Sequence, residues 1–291
     1  MAADPWDGEP SRPLVPAPRQ EPSADPVDEV AELAADDRPY RLGWLVGTLV
    51  RRTVETPTAV TLELDVPGWR GALAGQHVDV RLTAEDGYST QRSYSLASPG
   101  SMGLPPGSVP AERVALTVQV VDDGEVSPYL AEEMQVGDQL ELRGPVGHWF
   151  VWHPGDRRPV QLVGGGSGLV PLASVLRTRA LAGSTAPFRL LVSARSPADL
   201  LYADELARPT AGVEVTHVWT RAAPVGWQGR VGRVNAAVLR DACFAPDVRA
   251  HVLVCGPTPF VELVADTLVD LGHDPDVIRT ERFGPTGPVE R

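Results

Sequence analysis

Cysteine is scarce in this chain: Cys243 and Cys255 are the only two in 291 residues. Two thiols cannot ligate a four-thiolate iron–sulfur cluster, and their spacing matches no zinc motif, so redox chemistry here requires an organic cofactor. Cys255 ends the apolar run Val252-Leu253-Val254-Cys255, the setting of a buried, inert thiol. The six histidines are scattered without ligand spacing, and no metal centre is expected. His77 and His251 fall inside strand patterns, where packing is the simpler role. No apolar run approaches the roughly twenty residues of a membrane helix. Nor does a basic region followed by an apolar stretch open the chain, so a cytoplasmic location is the expectation. A Gly-x-Ser-x-Gly elbow, a glycine loop ending in Lys-Ser or Lys-Thr and a His-Glu-x-x-His helix are all missing, which speaks against a hydrolase, an ATPase and a zinc protease.

What is present is acidic. The formal net charge is −12, which disfavours nucleic acid as a partner. Much of it is local: residues 1–37 carry ten acids against Arg12 and Arg19, a balance of −8 that leaves −4 for the rest. Seven prolines from Pro5 to Pro26 and few large apolar residues accompany them, so residues 1–38 read as a disordered, solvating tail.

Beyond the tail the apolar period changes once. Residues 45–50, 60–66, 77–82, 114–121 and 139–143 alternate or are β-branched, and Gly or Pro punctuates the gaps. With a further strand through Tyr94 and one helix at about 128–134, they predict a closed six-stranded antiparallel barrel over residues 39–154. Over 155–291, apolar strands at 160–163, 188–193, 213–219 and 251–255 alternate with helical patterns at 170–182, 197–207, 235–242 and 260–271; a last short strand follows at 277–280. Such alternation predicts an α/β domain with a mostly parallel sheet and ligands at the carboxyl ends of its strands.

Two segments carry the chemistry. Arg92-Ser93-Tyr94-Ser95 is an alternating strand offering a cation, an aromatic ring and hydroxyls, suited to a phosphate and a flat ring system. Gly164-Gly165-Gly166-Ser167-Gly168 joins an apolar strand to a helix, the arrangement that presents backbone N–H groups to a phosphate. Pro171 stands where the usual dinucleotide fingerprint has its third glycine, so another class of nicotinamide site is indicated. Ser127, just before Pro128, reads as a helix N-cap with proline at the first helical position.

Together with Gly124-Glu125-Val126-Ser127, Cys255-Gly256-Pro257 and Glu281-Arg282-Phe283-Gly284, these segments resemble the ferredoxin-NADP reductase superfamily in order and spacing, over roughly residues 40–284. The resemblance implies a flavin-binding barrel followed by a nicotinamide-binding α/β domain. It implies FAD, with Arg92 on the pyrophosphate, Tyr94 against the isoalloxazine, Ser95 near N5, and Ser93 in the same strand. A flavin phosphate would meet Gly124, Val126 and Ser127. Gly166, Ser167 and Gly168 would approach the nicotinamide nucleotide, with Gly256 and Pro257 in a turn beside it and Cys255 bordering the position of hydride transfer. Phe283 would cover the flavin, or else fill the domain interface, and Glu281 would assist proton movement. Arg195, Arg221 and Arg230 lie at or beyond the second and third α/β strand ends, where no acid stands, which favours NADPH over NADH.

The implied activity is hydride transfer from NAD(P)H to FAD, followed by single-electron delivery to a separate acceptor. A ferredoxin serving an oxygenase is the first expectation; flavodoxin, a small-molecule acceptor and a flavin-binding sensor without turnover are the alternatives. Many relatives carry a fused plant-type ferredoxin domain after the last motif, whereas this chain stops at Arg291 without the cysteines, and a monomer is expected.

Overall fold

The computed structural model describes residues 43–284, apart from 85, 122, 123, 209 and 230. The tail expected over 1–38 lies outside them.

Six strands form the first sheet: β1 (Leu45–Thr56), β2 (Ala59–Asp65), β3 (His77–Thr83), β4 (Ser89–Ser95), β5 (Arg113–Gln119) and β6 (Gln139–Val146). They pair antiparallel in the order β4-β3-β6-β1-β2-β5. Alternation explains the fold locally. In β3, Val78, Val80 and Leu82 are fully buried, whereas His77, Asp79 and Arg81 point the other way and stay partly exposed. The ends of the sheet meet through a bridge between Leu96 and Leu116, and the Ala97 N–H donates to Ala115 O at 2.8 Å. β1 is longer than its apolar run because it serves two partners, β6 through residues 45–48 and β2 through 48–56, with register shifts in the second stretch.

One helix differs from expectation. Instead of starting after Ser127, α1 spans Val126–Pro128 and continues as a wider turn over Tyr129–Glu133. Ser127 is therefore not the N-cap: its hydroxyl accepts the Val121 N–H at 3.1 Å, and Glu125 occupies the cap position without its side chain accepting a helix N–H.

The second sheet is parallel, in the order β11-β10-β7-β8-β9, built from β7 (Val160–Gly165), β8 (Phe188–Ala194), β9 (Val213–Trp219), β10 (His251–Pro257) and β11 (Ile278–Phe283). The chain runs from β7 outward to β9 and then returns to β10 on the other side of β7. The carboxyl ends of β7 and β10 thus form the switch point at which such sheets bind ligands. α2 (Leu169–Leu181) follows β7. The helix expected over 197–207 is interrupted, leaving a short turn at Pro197–Asp199 and α3 (Ala203–Leu206). Leu200, Leu201 and Tyr202 are all buried between them, which one face of a continuous helix could not achieve, and Tyr202 adopts φ 55° to do so. α4 (Ala236–Ala242) is capped by Asn235, whose side chain accepts the Val238 N–H at 3.1 Å, and α5 (Thr258–Asp270) follows β10.

One apolar cluster fills the barrel, and another covers the outer face of the parallel sheet beneath α4 and α5. A third joins the two halves, setting Ala59, Ala74, Ala97, Phe150 and Trp152 of the first against β7, β8 and α2. Trp152 meets Phe188 edge-on at 5.4 Å. No helix among the described residues is long and apolar enough to cross a membrane.

Candidate functional site

β4 is an edge strand, paired along its length only with β3. Its carboxyl end leads into the Leu96 bridge with β5, and just before its start the Tyr88 hydroxyl donates to Glu125 Oε2, at the cap of α1, at 3.2 Å. Arg92 is exposed and donates only to its own neighbourhood, Gln91 O at 2.7 Å and Thr90 Oγ1 at 3.4 Å; among the described residues it pairs with no carboxylate. Its charge is free for an anion. Ser93 is already committed, donating to Asp79 Oδ1 at 2.7 Å, while Arg143 holds the other oxygen at 2.8 Å. Tyr94 lies opposite Val78 and packs partly against the barrel core; burial pushes its hydroxyl well above the ordinary range, so it stays neutral. Val126 is buried in that core, and Gly124 is hemmed in, since a Cβ there would stand 3.0 Å from both Ser127 Oγ and Val121 O.

The glycine turn behaves differently. A Cβ on Gly168 would lie 2.1 Å from Cys255 O, one on Gly165 would lie 2.8 Å from the Phe260 ring, and one on Gly164 would lie 3.0 Å from Leu172. Close approach to β10, α5 and α2 therefore dictates three of these glycines. Gly166, with φ 55° and open space around it, and half-buried Ser167 are the two residues the turn presents outward. No side chain caps α2 at Gly168.

The two sheets meet where β3 and β4 face β10 and β11. Register sets His77 beside Ser95 and Cys255 beside Glu281. Across the junction Ser95 Oγ stands 3.5 Å from Glu281 Oε1, and His77 Nδ1 stands 3.8 Å from the same oxygen. Glu281 Oε2 is buried and has no hydrogen-bond partner among the described residues. Burial raises the Glu281 carboxyl to about 7, against the opposing pull of the Ser95 hydroxyl. Burial also lowers His77, partly offset by the Asp79 charge. The result is a carboxyl poised near neutrality beside an imidazole held neutral, an arrangement able to take up and release a proton. Cys255 is fully buried and its thiol is raised well above the ordinary range by burial and by Glu281, so it stays protonated at neutral pH.

In the sequence nothing local marks His77 as more than a packing residue; only the pairing of β3 with β4 carries it to Ser95. Phe283 pairs with Pro257 and packs half-buried against the cluster that joins the two halves. Gly256 needs its φ of 156°, and a Cβ there would strike Phe260 at 2.9 Å. At the ends of β8 and β9, the Arg221 and Ala222 N–H groups donate to Arg195 O at 2.9 and 3.1 Å, bringing Arg195 and Arg221 together. Both side chains are exposed and unpaired among the described residues, while the nearest following acid, Asp199, accepts the Ser196 hydroxyl at 2.5 Å. Arg230 lies outside the described residues.

Arg92 and Tyr94 on β4 offer a cation with no carboxylate partner among the described residues and a flat ring, and at the junction of the sheets stand the Ser95 hydroxyl and the Glu281 carboxyl, a donor set that fits a flavin nucleotide meeting a nicotinamide nucleotide. Family models agree: "oxidoreductase FAD-binding domain" matches residues 47–151 and "oxidoreductase NAD-binding domain" matches 162–266. The chain belongs to the ferredoxin-NADP reductase superfamily. Among similar members of the superfamily, the glycine betaine monooxygenase reductase subunit of Pseudomonas aeruginosa is 31% identical over 75% of this chain and 57% of its own length. NADH-cytochrome b5 reductase 1 of Lodderomyces elongisporus is 30% identical over 69% of this chain and 64% of its own length. This superfamily member thus spans little more than half of the monooxygenase reductase subunit it matches. Its fold resembles the FAD/NAD-binding domain of nitric oxide dioxygenase from Vibrio cholerae, with a TM-score of 0.71 at 24% identity over 84% of this chain and all of that one.

Proposed function

We propose that this protein transfers hydride from NADPH to FAD and passes the electrons singly to a separate acceptor, a ferredoxin serving an oxygenase. The observation that carries this reading is the junction itself, where Ser95, His77, Cys255 and Glu281 arrive from four strands of two sheets. Residues 39–154 would serve as the FAD domain and 155–291 as the nucleotide domain. Arg92 neutralises the pyrophosphate, Tyr94 supplies a neutral ring face, and the turn from Gly124 to Ser127 accommodates a phosphate of the same pyrophosphate. Bound there, an isoalloxazine supplies a hydride acceptor that can release electrons one at a time.

The chain's own groups do the rest. The Ser95 hydroxyl is a donor fixed on a buried strand end, able to stabilise developing negative charge without reorganising. Glu281 holds or releases a proton at Oε2, and His77 keeps Oε1 from facing a second charge. Cys255 acts through bulk and low polarity. Gly166, Ser167 and the Gly256-Pro257 turn orient the nucleotide, and Arg195 with Arg221 favours its 2′-phosphate. A monooxygenase reductase subunit among the relatives supports an oxygenase partner; the NADH-cytochrome b5 reductase makes cofactor preference a sharp test.

Anaerobic mixing of the flavin-loaded protein with NADPH and with NADH decides the matter. Rapid bleaching of the flavin, a higher kcat/KM for NADPH and onward reduction of ferredoxin are expected. A yellow protein that neither nucleotide bleaches would overturn the enzyme reading, and an NADH preference would overturn the arginine assignment. Ser95→Val should slow bleaching about 100-fold with flavin still bound.

A further inference from the structure

The helix that leaves the glycine turn is fastened to the strand that carries Ser95. Three polar side chains of α2, Ser174, Arg177 and Thr178, share one face at helical spacing. Ser174 Oγ donates to Ser98 O at 2.6 Å, and Arg177 Nη1 donates to Ala97 O at 2.6 Å. The Gly100 N–H donates to Thr178 Oγ1 at 2.8 Å. Thr178 in turn donates its own proton to Ser174 O at 2.7 Å, so that hydroxyl both accepts and donates within the seam. Ser174 and Thr178 have no exposed surface. Residues 97–100 follow two residues after Ser95, at the end of β4, and Gly168 closes the turn from which α2 runs on through Thr178. The seam thus bolts the nucleotide side to the flavin side within a few residues of each.

Arg177 extends the seam inward. Its guanidinium grips Glu205, through Nε to Oε1 at 3.0 Å and Nη2 to Oε2 at 2.5 Å, and lies 4.4 Å from the centre of the Tyr202 ring. Tyr202 Oη stands 2.5 Å from Thr117 Oγ1, which stands 2.8 Å from Thr61 Oγ1, and Thr61 donates to Glu55 Oε1 at 2.6 Å. A polar chain, buried at Tyr202, Thr117 and Thr61, therefore runs from α2 through β5 and β2 to Glu55 of β1. Apolar surfaces tolerate sliding, whereas hydrogen bonds of this length and direction hold one register.

We propose that Ser174, Arg177, Thr178 and Tyr202 form a positioning seam that fixes the separation of nicotinamide and flavin, and so sets the rate of hydride transfer rather than the affinity for either cofactor. This rests on the function proposed above. A misplacement of about 1 Å at reacting atoms is worth about 100-fold in rate, so a seam of directional bonds has ample leverage.

Arg177→Lys, which keeps the charge and loses the fork, and Tyr202→Phe, which loses only the hydroxyl, test it. In Arg177→Lys, bleaching at saturating nucleotide should slow about 10- to 100-fold, with a weaker nicotinamide–flavin charge-transfer absorbance. Flavin content and nucleotide Kd should stay within about two-fold of wild type. Rates within two-fold of wild type, or a loss that merely follows lost flavin or lost nucleotide affinity, would overturn the seam. Should Arg177→Lys fail to fold, Tyr202→Phe decides by the same criteria. Hydrogen exchange at the Gly100 amide in flavin-free protein gives a readout independent of turnover: Thr178→Val should speed it at least ten-fold, and unchanged protection refutes the bolt. A wild type that never bleaches would instead refute the oxidoreductase reading, with the seam still judged by Gly100.

Discussion

β4 and the glycine turn are the two segments that advertise a ligand, yet they hold it in reserve in opposite ways. β4 is mostly exposed, lies at a sheet edge, and carries in Arg92 a charge that no carboxylate among the described residues answers. The turn from Gly164 to Gly168 is largely buried, and three of its glycines are demanded by the protein's own backbone and side chains. On the strand, one cationic side chain, Arg92, is left without a carboxylate partner among the described residues. On the turn, the missing side chains let β10, α2 and α5 close up, and only Gly166 and Ser167 face outward. A glycine-rich motif can therefore look like a binding loop and be, residue by residue, mostly packing.

Substitution separates the two cases. Gly168→Ala drives a methyl into Cys255 O and should cost about 3 kcal/mol or more of unfolding free energy, measured by urea titration; a near-neutral result would mean the turn is looser than its contacts. Glu281 gives the next largest effect. Its folded-state affinity for a proton is raised from an ordinary 4.5 to about 7, so ionising it is unfavourable in the folded chain. Stability of the flavin-free protein should therefore fall, relative to Glu281→Gln, as pH rises from 4.5 to about 7, then level off. The span is on the order of 2–3 kcal/mol. Because His77 is lowered and titrates with the opposite slope, the difference between the two proteins is the quantity to measure. Parallel pH profiles would show that Glu281 is not buried in solution.

Arg92→Ala should weaken flavin retention about 10- to 100-fold, read by fluorescence titration. It should leave the flavin-free protein within about 0.5 kcal/mol of wild type. Loss of fold without loss of flavin affinity would reverse the contrast. Gly166→Ala has the smallest effect, about 1 kcal/mol from left-handed backbone alone, since open space surrounds it. Should it match Gly168→Ala, the distinction between the two glycines disappears.

Much of the architecture was legible because its signal is local. Val78, Val80 and Leu82 alternate with polar residues, and Val160 to Val163 do not, which separates a one-sided strand from one covered on both faces. Departures arose where a bond outside the helix or the packing of the core overrode the local preference. Ser127 has the chemistry of a cap but serves the Val121 N–H, and residues 197–207 carry helical pattern but are broken so that Leu200, Leu201 and Tyr202 can all be buried. Of the site, the strand with Arg92, Tyr94 and Ser95, the turn, and the Cys255 and Glu281 segments could be found from motif and spacing. His77 could not, for a histidine in an alternating strand has the same appearance whether it packs or titrates.

By itself, the sequence determined two successive periods of hydrophobicity, a parallel and an antiparallel sheet, and the residue types available at each strand end. Only the tertiary structure decided that Ser95 would stand beside Glu281, 186 residues away, with His77 on the same oxygen and a seam on α2 holding them. Periodicity acts through neighbours a few residues apart, whereas the proton affinity of a carboxyl depends on what desolvates it, and that is set by which sheets pack together.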